Sequence, residues 1–243
     1  MKKGAVAFID ILGFKGMWQR KDIDVMNILN GIPELIKKRY RYPPPEKKWP
    51  SSSEPQVTIL SDTIVITIDS EQPHCLFLLG NIINEMTLYF HEHKMFFRGA
   101  IGYGEYIQSG NTFVGPAIDD VASWYEVADW IGIVLTPKSN YIIDRFSPFK
   151  IKVNNYDVQT FIKYDVSDKY NNTYHINCLN WPGYLQAAYE ELPNNGSKSK
   201  THKLMVGLFT EQGEFDALVL KKYENTLKFV DYAVCSIELK TDE

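Results

Sequence analysis

A chain of 243 residues with 44% hydrophobic side chains has enough apolar material for one core-bearing domain, with or without an appendage. A formal charge of -4 and a pI near 5.8 leave no long basic surface for nucleic acid, and the pairs Lys47-Lys48 and Lys221-Lys222 offer only small patches. Cys75, Cys178 and Cys235 are odd in number and lie outside any CxxC spacing, which speaks against a disulfide framework or a zinc site and fits a reducing cytoplasm.

Gly4 to Ile11 is a continuous apolar run that reads as a buried central strand, and Gly13 lets the chain turn after it. The run already contains Asp10 and has no small-residue cleavage site, so it does not read as a secretory signal. From Asp22 or Asp24 as N-cap, the spacing of Val25, Ile28, Leu29, Ile32, Leu35 and Ile36 predicts a helix to about Arg39, kinked or broken at Pro33. Tyr42 to Pro55, with three prolines and three serines in runs, reads as a polar loop. Gln56 to Leu60 and Thr63 to Ile68 read as a hairpin with Ser61-Asp62 at its tip.

His74 to His93 is the clearest helix, with His91 and His93 placed to complement its dipole. Asn81, Asn84 and Glu85 interrupt its apolar face, and no stretch reaches the roughly 18 apolar residues of a membrane span. A strand pair, Phe96 to Tyr103 and Tyr106 to Val114, follows, then a helix from Pro116 to Asp129 and a core strand from Ile131 to Leu135. The order predicts an α+β fold in which helices cover one face of a mainly antiparallel sheet. Beyond it, Lys138 to Phe146 reads as a helix, Ile151 to Val166 as strand pieces and Tyr174 to Leu179 as a strand before a Trp181-Pro182 turn. After a linker at Pro193 to Ser197, His202 to Tyr232 reads as one or two helices, with Gly207 and Gly213 as dividing points. Residues 1–136 are therefore expected to form the functional core, and 137–243 an extension of the same domain.

Asp10 and Asp62 both interrupt apolar strand-like runs, where an ionised carboxylate is costly unless a cation, a donor or water satisfies it. Either one alone reads better as a turn cap at a strand end. Two in like settings point to a metal site.

Phe8, Asp10, Gly13 and Phe14 match, position by position, the first-strand motif of class III nucleotidyl cyclases, and Ser61-Asp62 resembles that family's second metal aspartate at a hairpin tip. Phe97 to Gly104 is similar to the family's arginine- and glycine-bearing strand, and Gly115 to Glu126 to its late helix start. The likeness spans roughly positions 4 to 136 and implies a ferredoxin-like, palm-type fold. Thr58 stands where purine cyclases carry a base-reading lysine. The positions of the family's late-helix asparagine and arginine fall on Asp120 and Trp124, or on Asp119 and Ser123, so neither register supplies an arginine. In these departures the chain looks more like the pyrimidine cyclases of bacterial Pycsar antiphage defence.

That resemblance implies conversion of UTP or CTP to cyclic UMP or cyclic CMP in the cytoplasm, as an alarm read by a separate effector. It implies two Mg2+ or Mn2+ ions held by Asp10, Asp62 and the Ile11 carbonyl, hard cations on oxygen ligands. Backbone amides of Leu12, Gly13 and Phe14 would cradle phosphates. Thr58 and Arg98 would line the nucleotide site, and the site would be shared across a homodimer. An inactive nucleotide- or partner-binding domain, and a diguanylate-type cyclase or polymerase, are the competing readings.

Overall fold

The protein's structure, a computed structural model, describes residues 1–14, 24–41, 53–189, 197–212 and 216–239. Lys2–Leu12 forms one long strand, β1, because Ala5, Ala7, Ile9 and Ile11 are buried on one face while Phe8, Asp10 and Leu12 alternate onto the other, where they are only partly covered. Helix α1 (Val25–Arg41) starts at Asp24, whose carboxylate accepts from the Asn27 amide at 3.0 Å. Asp22 lies outside the described residues, as does the loop from Tyr42 to Ser52.

The helix runs through Pro33 without the expected break. Proline withdraws an amide donor from the preceding turn. In that same turn the Tyr89 hydroxyl donates to the Ile28 carbonyl at 3.0 Å, in space left by Gly31, where a Cβ would stand 2.4 Å from that oxygen.

The hairpin β2 (Gln56–Leu60) and β3 (Thr63–Asp69) is followed by α2 (Cys75–Glu92) and β4 (Phe96–Ser109). These four strands lie in the order β2-β3-β1-β4 with every pairing antiparallel, the ferredoxin-like arrangement of a βαββαβ unit. The α+β class expected from the sequence is thus the one observed. Two details differ. β4 is one strand of 14 residues rather than a pair broken near Gly104, and its hairpin turns later, at Gly110, into β5 (Thr112–Val114).

Helices also cover both faces of the sheet. Phe97 packs on Phe90 of α2, whereas Gly102, on the opposite side of β4, lies against α3 (Pro116–Trp124): a Cβ there would come within 2.5 Å of Val121. Gly102 is therefore a site of close helix approach, and Gly99 one of close strand approach, where a Cβ would stand 2.3 Å from the Phe8 carbonyl oxygen. α3 ends five residues before the predicted Asp129, because Ala128, Asp129 and Trp130 are buried in the connection to β6 (Gly132–Leu135) and the Asp129 amide bonds the Ser167 carbonyl at 3.1 Å.

β6 lies parallel to β4 and continues the sheet to β10 (Thr173–Leu179) and β9 (Phe161–Ser167). The short helix α4 (Pro137–Ile143) precedes a small separate sheet of β7 (Lys150–Val153), β8 (Tyr156–Gln159) and β11 (Glu238–Leu239). Trp181-Pro182 opens a helix, α5 (Trp181–Ala188), instead of forming a turn; the Asn180 side chain caps it by accepting from the Gly183 amide, and proline suits the first turn. Gly207 sits inside α6 (Lys200–Glu211) and divides nothing. Gly213 and residues 193–196 of the expected linker lie outside the described residues. α7 (Ala217–Val234) sends Phe229 onto Trp130, ring centroids 4.0 Å apart, so one buried cluster runs from Ala5 to Val234. Among the described residues no helix is long and apolar enough to cross a membrane.

His91 departs from its expected role as a dipole-complementing cation. It is buried against Trp181, with Nδ1 on the Thr87 carbonyl at 2.9 Å and Nε2 beside the Met205 sulfur at 3.2 Å, and burial lowers its pKa to about 4. At neutral pH it is an uncharged core residue.

Candidate active site

The registers of β1 with its two neighbours bring the sequence motifs into one row. Leu60 of β2, Thr63 of β3, Asp10 of β1 and Arg98 of β4 are successive cross-strand partners, so their side chains share one face of the sheet. Arg98 Nε donates to Asp10 Oδ2 at 3.1 Å, and its terminal Nη2 reaches Glu126 Oε1 at 3.1 Å. The Arg98 and Asp10 side chains are 17% and 15% exposed, and that of Glu126 is 52% exposed, so the pair is a sheltered contact with an open outer arm. The Tyr125 hydroxyl interacts with Glu126, and the Tyr125 ring packs edge-on against Phe8 at 6.3 Å, which fixes the end of α3 over this row.

Burial raises the pKa of Asp10 above the ordinary carboxylate value. The bond and charge of Arg98 oppose that shift, and the charges of Asp62 and Glu126 add to it. Asp62 is therefore close enough for its charge to be felt at Asp10. Its backbone is closer still: the Asp62 carbonyl accepts from the Ile11 amide at 2.9 Å, one residue past the last β1–β3 ladder pair, Asp10 with Thr63. The two motif aspartates thus stand at adjoining strand ends.

Ser61 precedes Asp62 with φ at 60°, in the left-handed region that glycine occupies without a Cβ penalty. Ser61→Gly is expected to stabilise the protein by about 0.5–1 kcal/mol. Chemical denaturation at neutral pH would check this, and an unchanged or lower midpoint would contradict the turn argument.

Gly13 turns the chain after β1 with φ at 72°, and Phe14 folds back into the core. The segment from Lys15 to Ile23, which would carry the proposed phosphate cradle of Leu12, Gly13 and Phe14 into α1, lies outside the described residues. Thr58 shares the sheet face of Asp10 but pairs with Val65, one row away and two strands distant, roughly 10 Å across the ladder. The late-helix positions contribute no cation. Asp119 and Ser123 are exposed and bonded to each other through the Ser123 hydroxyl and the Asp119 carbonyl, and Trp124 packs on Tyr174. Asp120 has one buried carboxylate oxygen without a hydrogen-bond partner among the described residues.

Glu126 is the site residue that sequence reasoning missed, having served there only to align the late helix. The signal was its place just after a helix whose last turn lies over the motif strand. Beside it, Ser123, Tyr125, Val127, Asp168 and Tyr170 line an open recess of about 260 Å³.

Asp10 and Glu126 hold one guanidinium between them, and the charge of Asp62 is felt at Asp10, so carboxylates outnumber the cation. By donor type Asp10 and Asp62 fit a hard divalent cation. Among the described residues, no group of three or more His, Cys, Asp or Glu side chains is gathered closely enough to hold an ion alone, so remaining ligands would come from backbone, water or substrate.

No protein-family model matches the chain, and no curated protein matches it. Among solved structures, it is similar to an adenylate/guanylate cyclase/hydrolase from Silicibacter pomeroyi, at 15% identity and a TM-score of 0.44, over 73% of this chain and 94% of that one.

Proposed function

We propose that the chain is a nucleotidyl cyclase that converts UTP, or CTP, to the 3',5'-cyclic monophosphate and diphosphate. The observation that carries this reading is the meeting of the two motif aspartates at adjoining strand ends. The catalytic core would be residues 1–136, with 137–243 as an extension of the same domain.

In this reading Asp10, Asp62 and the Ile11 carbonyl would hold two Mg2+ or Mn2+ ions. When bound, such ions acidify the ribose 3'-hydroxyl and neutralise phosphate charge. The 3'-oxygen attacks the α-phosphorus, the bond from that phosphorus to the diphosphate oxygen breaks, and the hydroxyl proton is released. Arg98, kept at the site by Glu126, supplies a guanidinium to a phosphate oxygen or to a pyrimidine carbonyl. Leu12, Gly13 and Phe14 contribute amides to the phosphates, and Thr58 borders the base.

The preference for pyrimidines rests on Thr58 in place of lysine, and the antiphage role, with its separate effector, rests on the motif resemblance. A homodimer is supported by the open face beside Asp10, where Leu60 is 45% exposed and Thr58 and Thr63 are half-buried.

Incubating the protein with each of the four nucleoside triphosphates and Mn2+ tests the proposal. Cyclic UMP or cyclic CMP is expected. A cyclic purine product would overturn the substrate assignment, and linear or dinucleotide products would indicate a polymerase-like or diguanylate-type enzyme. Absence of any product would favour an inactive binding domain. That second reading has one specific observation in its favour: Arg98 already occupies Asp10 Oδ2, and α3 brings no arginine to the site.

A further inference from the structure

A cavity of about 460 Å³ lies remote from the aspartates, at the opposite end of the same elements. It is bounded by Lys3 near the start of β1, Tyr103 to Glu105 far along β4, and Pro116 at the head of α3. Lys3 and Asp10 are seven residues apart on one strand, roughly 23 Å. The volume falls within the range of small-molecule sites.

Three cations face this cavity, Lys3, Lys138 and Arg145, against one acid, Glu105. In a chain of net charge -4 that is a local reversal of sign. The Lys138 and Arg145 side chains make no ion pair among the described residues, and Lys3 is held by a long contact to Glu71 at 3.9 Å and by the Tyr103 ring, 5.5 Å from its amine. The walls are aromatic and apolar. Phe146 is backed by His74 with ring centroids 4.5 Å apart, and Tyr103 is fixed by its hydroxyl, which donates to the Glu71 carbonyl at 2.7 Å. Gly104 keeps the floor open beside Lys138: a Cβ there would stand 3.5 Å from the Lys138 amine.

Against Glu105 and the nearby Glu71 the three cations leave a net positive charge, which an anionic group such as a phosphate monoester complements. Rigid rings beside them suit a planar partner. We propose that this cavity binds a nucleoside monophosphate, its phosphate among Lys3, Lys138 and Arg145 and its base along Phe146. The site is independent of the catalytic reading, since it shares no residue with it.

Calorimetric titration of the full chain with UMP, AMP and inorganic phosphate, in EDTA so that no metal-dependent binding contributes, tests the proposal. Saturable binding of at least one nucleotide is expected, weakened by added salt and retained in Asp10→Asn. The paired exposed changes Lys138→Gln and Arg145→Gln should weaken it at least tenfold while leaving the thermal unfolding midpoint unchanged. Absence of nucleotide binding, or equal binding in the paired variant, would overturn the site. Inorganic phosphate binding as tightly as either nucleotide would overturn the assignment of its ligand class.

Discussion

Asp10→Asn and Asp62→Asn are each expected, on the proposed function, to reduce cyclic nucleotide formation by on the order of 10³-fold, because loss of one of the carboxylates proposed to bind metal would remove several kcal/mol of transition-state stabilisation. The two variants should differ in stability. Asp10 is a carboxylate whose pKa is raised, chiefly by burial, so the folded state holds its proton more tightly than the unfolded chain does. Stability from this group is then highest at acid pH and falls as pH rises from the ordinary carboxylate value through the raised one. A neutral amide removes that cost. The metal-free Asp10→Asn protein should unfold at neutral pH with a midpoint at or above that of the unaltered chain, even as turnover collapses. Retained turnover in either variant would refute its assignment, and a large fall in the Asp10→Asn midpoint would mean that the bond to Arg98 outweighs the burial cost.

His91 carries the second large effect. Its pKa of about 4 in the folded protein, against 6.5 for an ordinary histidine, means that between those values the unfolded chain binds a proton that the native core excludes. Stability is therefore expected to rise with pH from about 4 to 6.5, by roughly 3 kcal/mol from this residue, and to level off above. Urea unfolding at pH 4.5, 5.5, 6.5 and 7.5 would measure the slope. In His91→Gln the slope should be markedly shallower, although the variant will be less stable overall because it disturbs the packing with Met205 and Trp181. An identical slope in the two proteins would assign the acid sensitivity to other groups.

Legibility in the sequence followed the length scale of the interaction that decides each element. β1, the β2–β3 hairpin and α2 announce themselves through local apolar periodicity, and the Asp10 and Asp62 motifs sit on two of them. The end of α3 was not legible, because it is set by a contact between Asp129 and Ser167 far along the chain. Gly102 offers two local readings, a bend or a close approach, and the helix lying above it decides for the second. Trp181-Pro182 was locally readable but misread, since Asn180 as a cap was overlooked. In the candidate site, the pairing of Asp10 with Arg98 required strand register, and the third member, Glu126, arrives from beyond a helix whose end could not be predicted.

Arg98 lies between two acids, and this bears on how the chain folds. Carboxylates brought together without a counter-ion would repel one another, and a chain that waited for a divalent cation would depend on the supply of that cation to fold. The guanidinium acts as a resident place-holder. It neutralises part of the charge from the start, and Glu126 gives it a second anchorage when a stronger cation competes for Asp10. On the proposed function, loading the site would be an exchange of one positive partner for another, and the fold would not wait for metal.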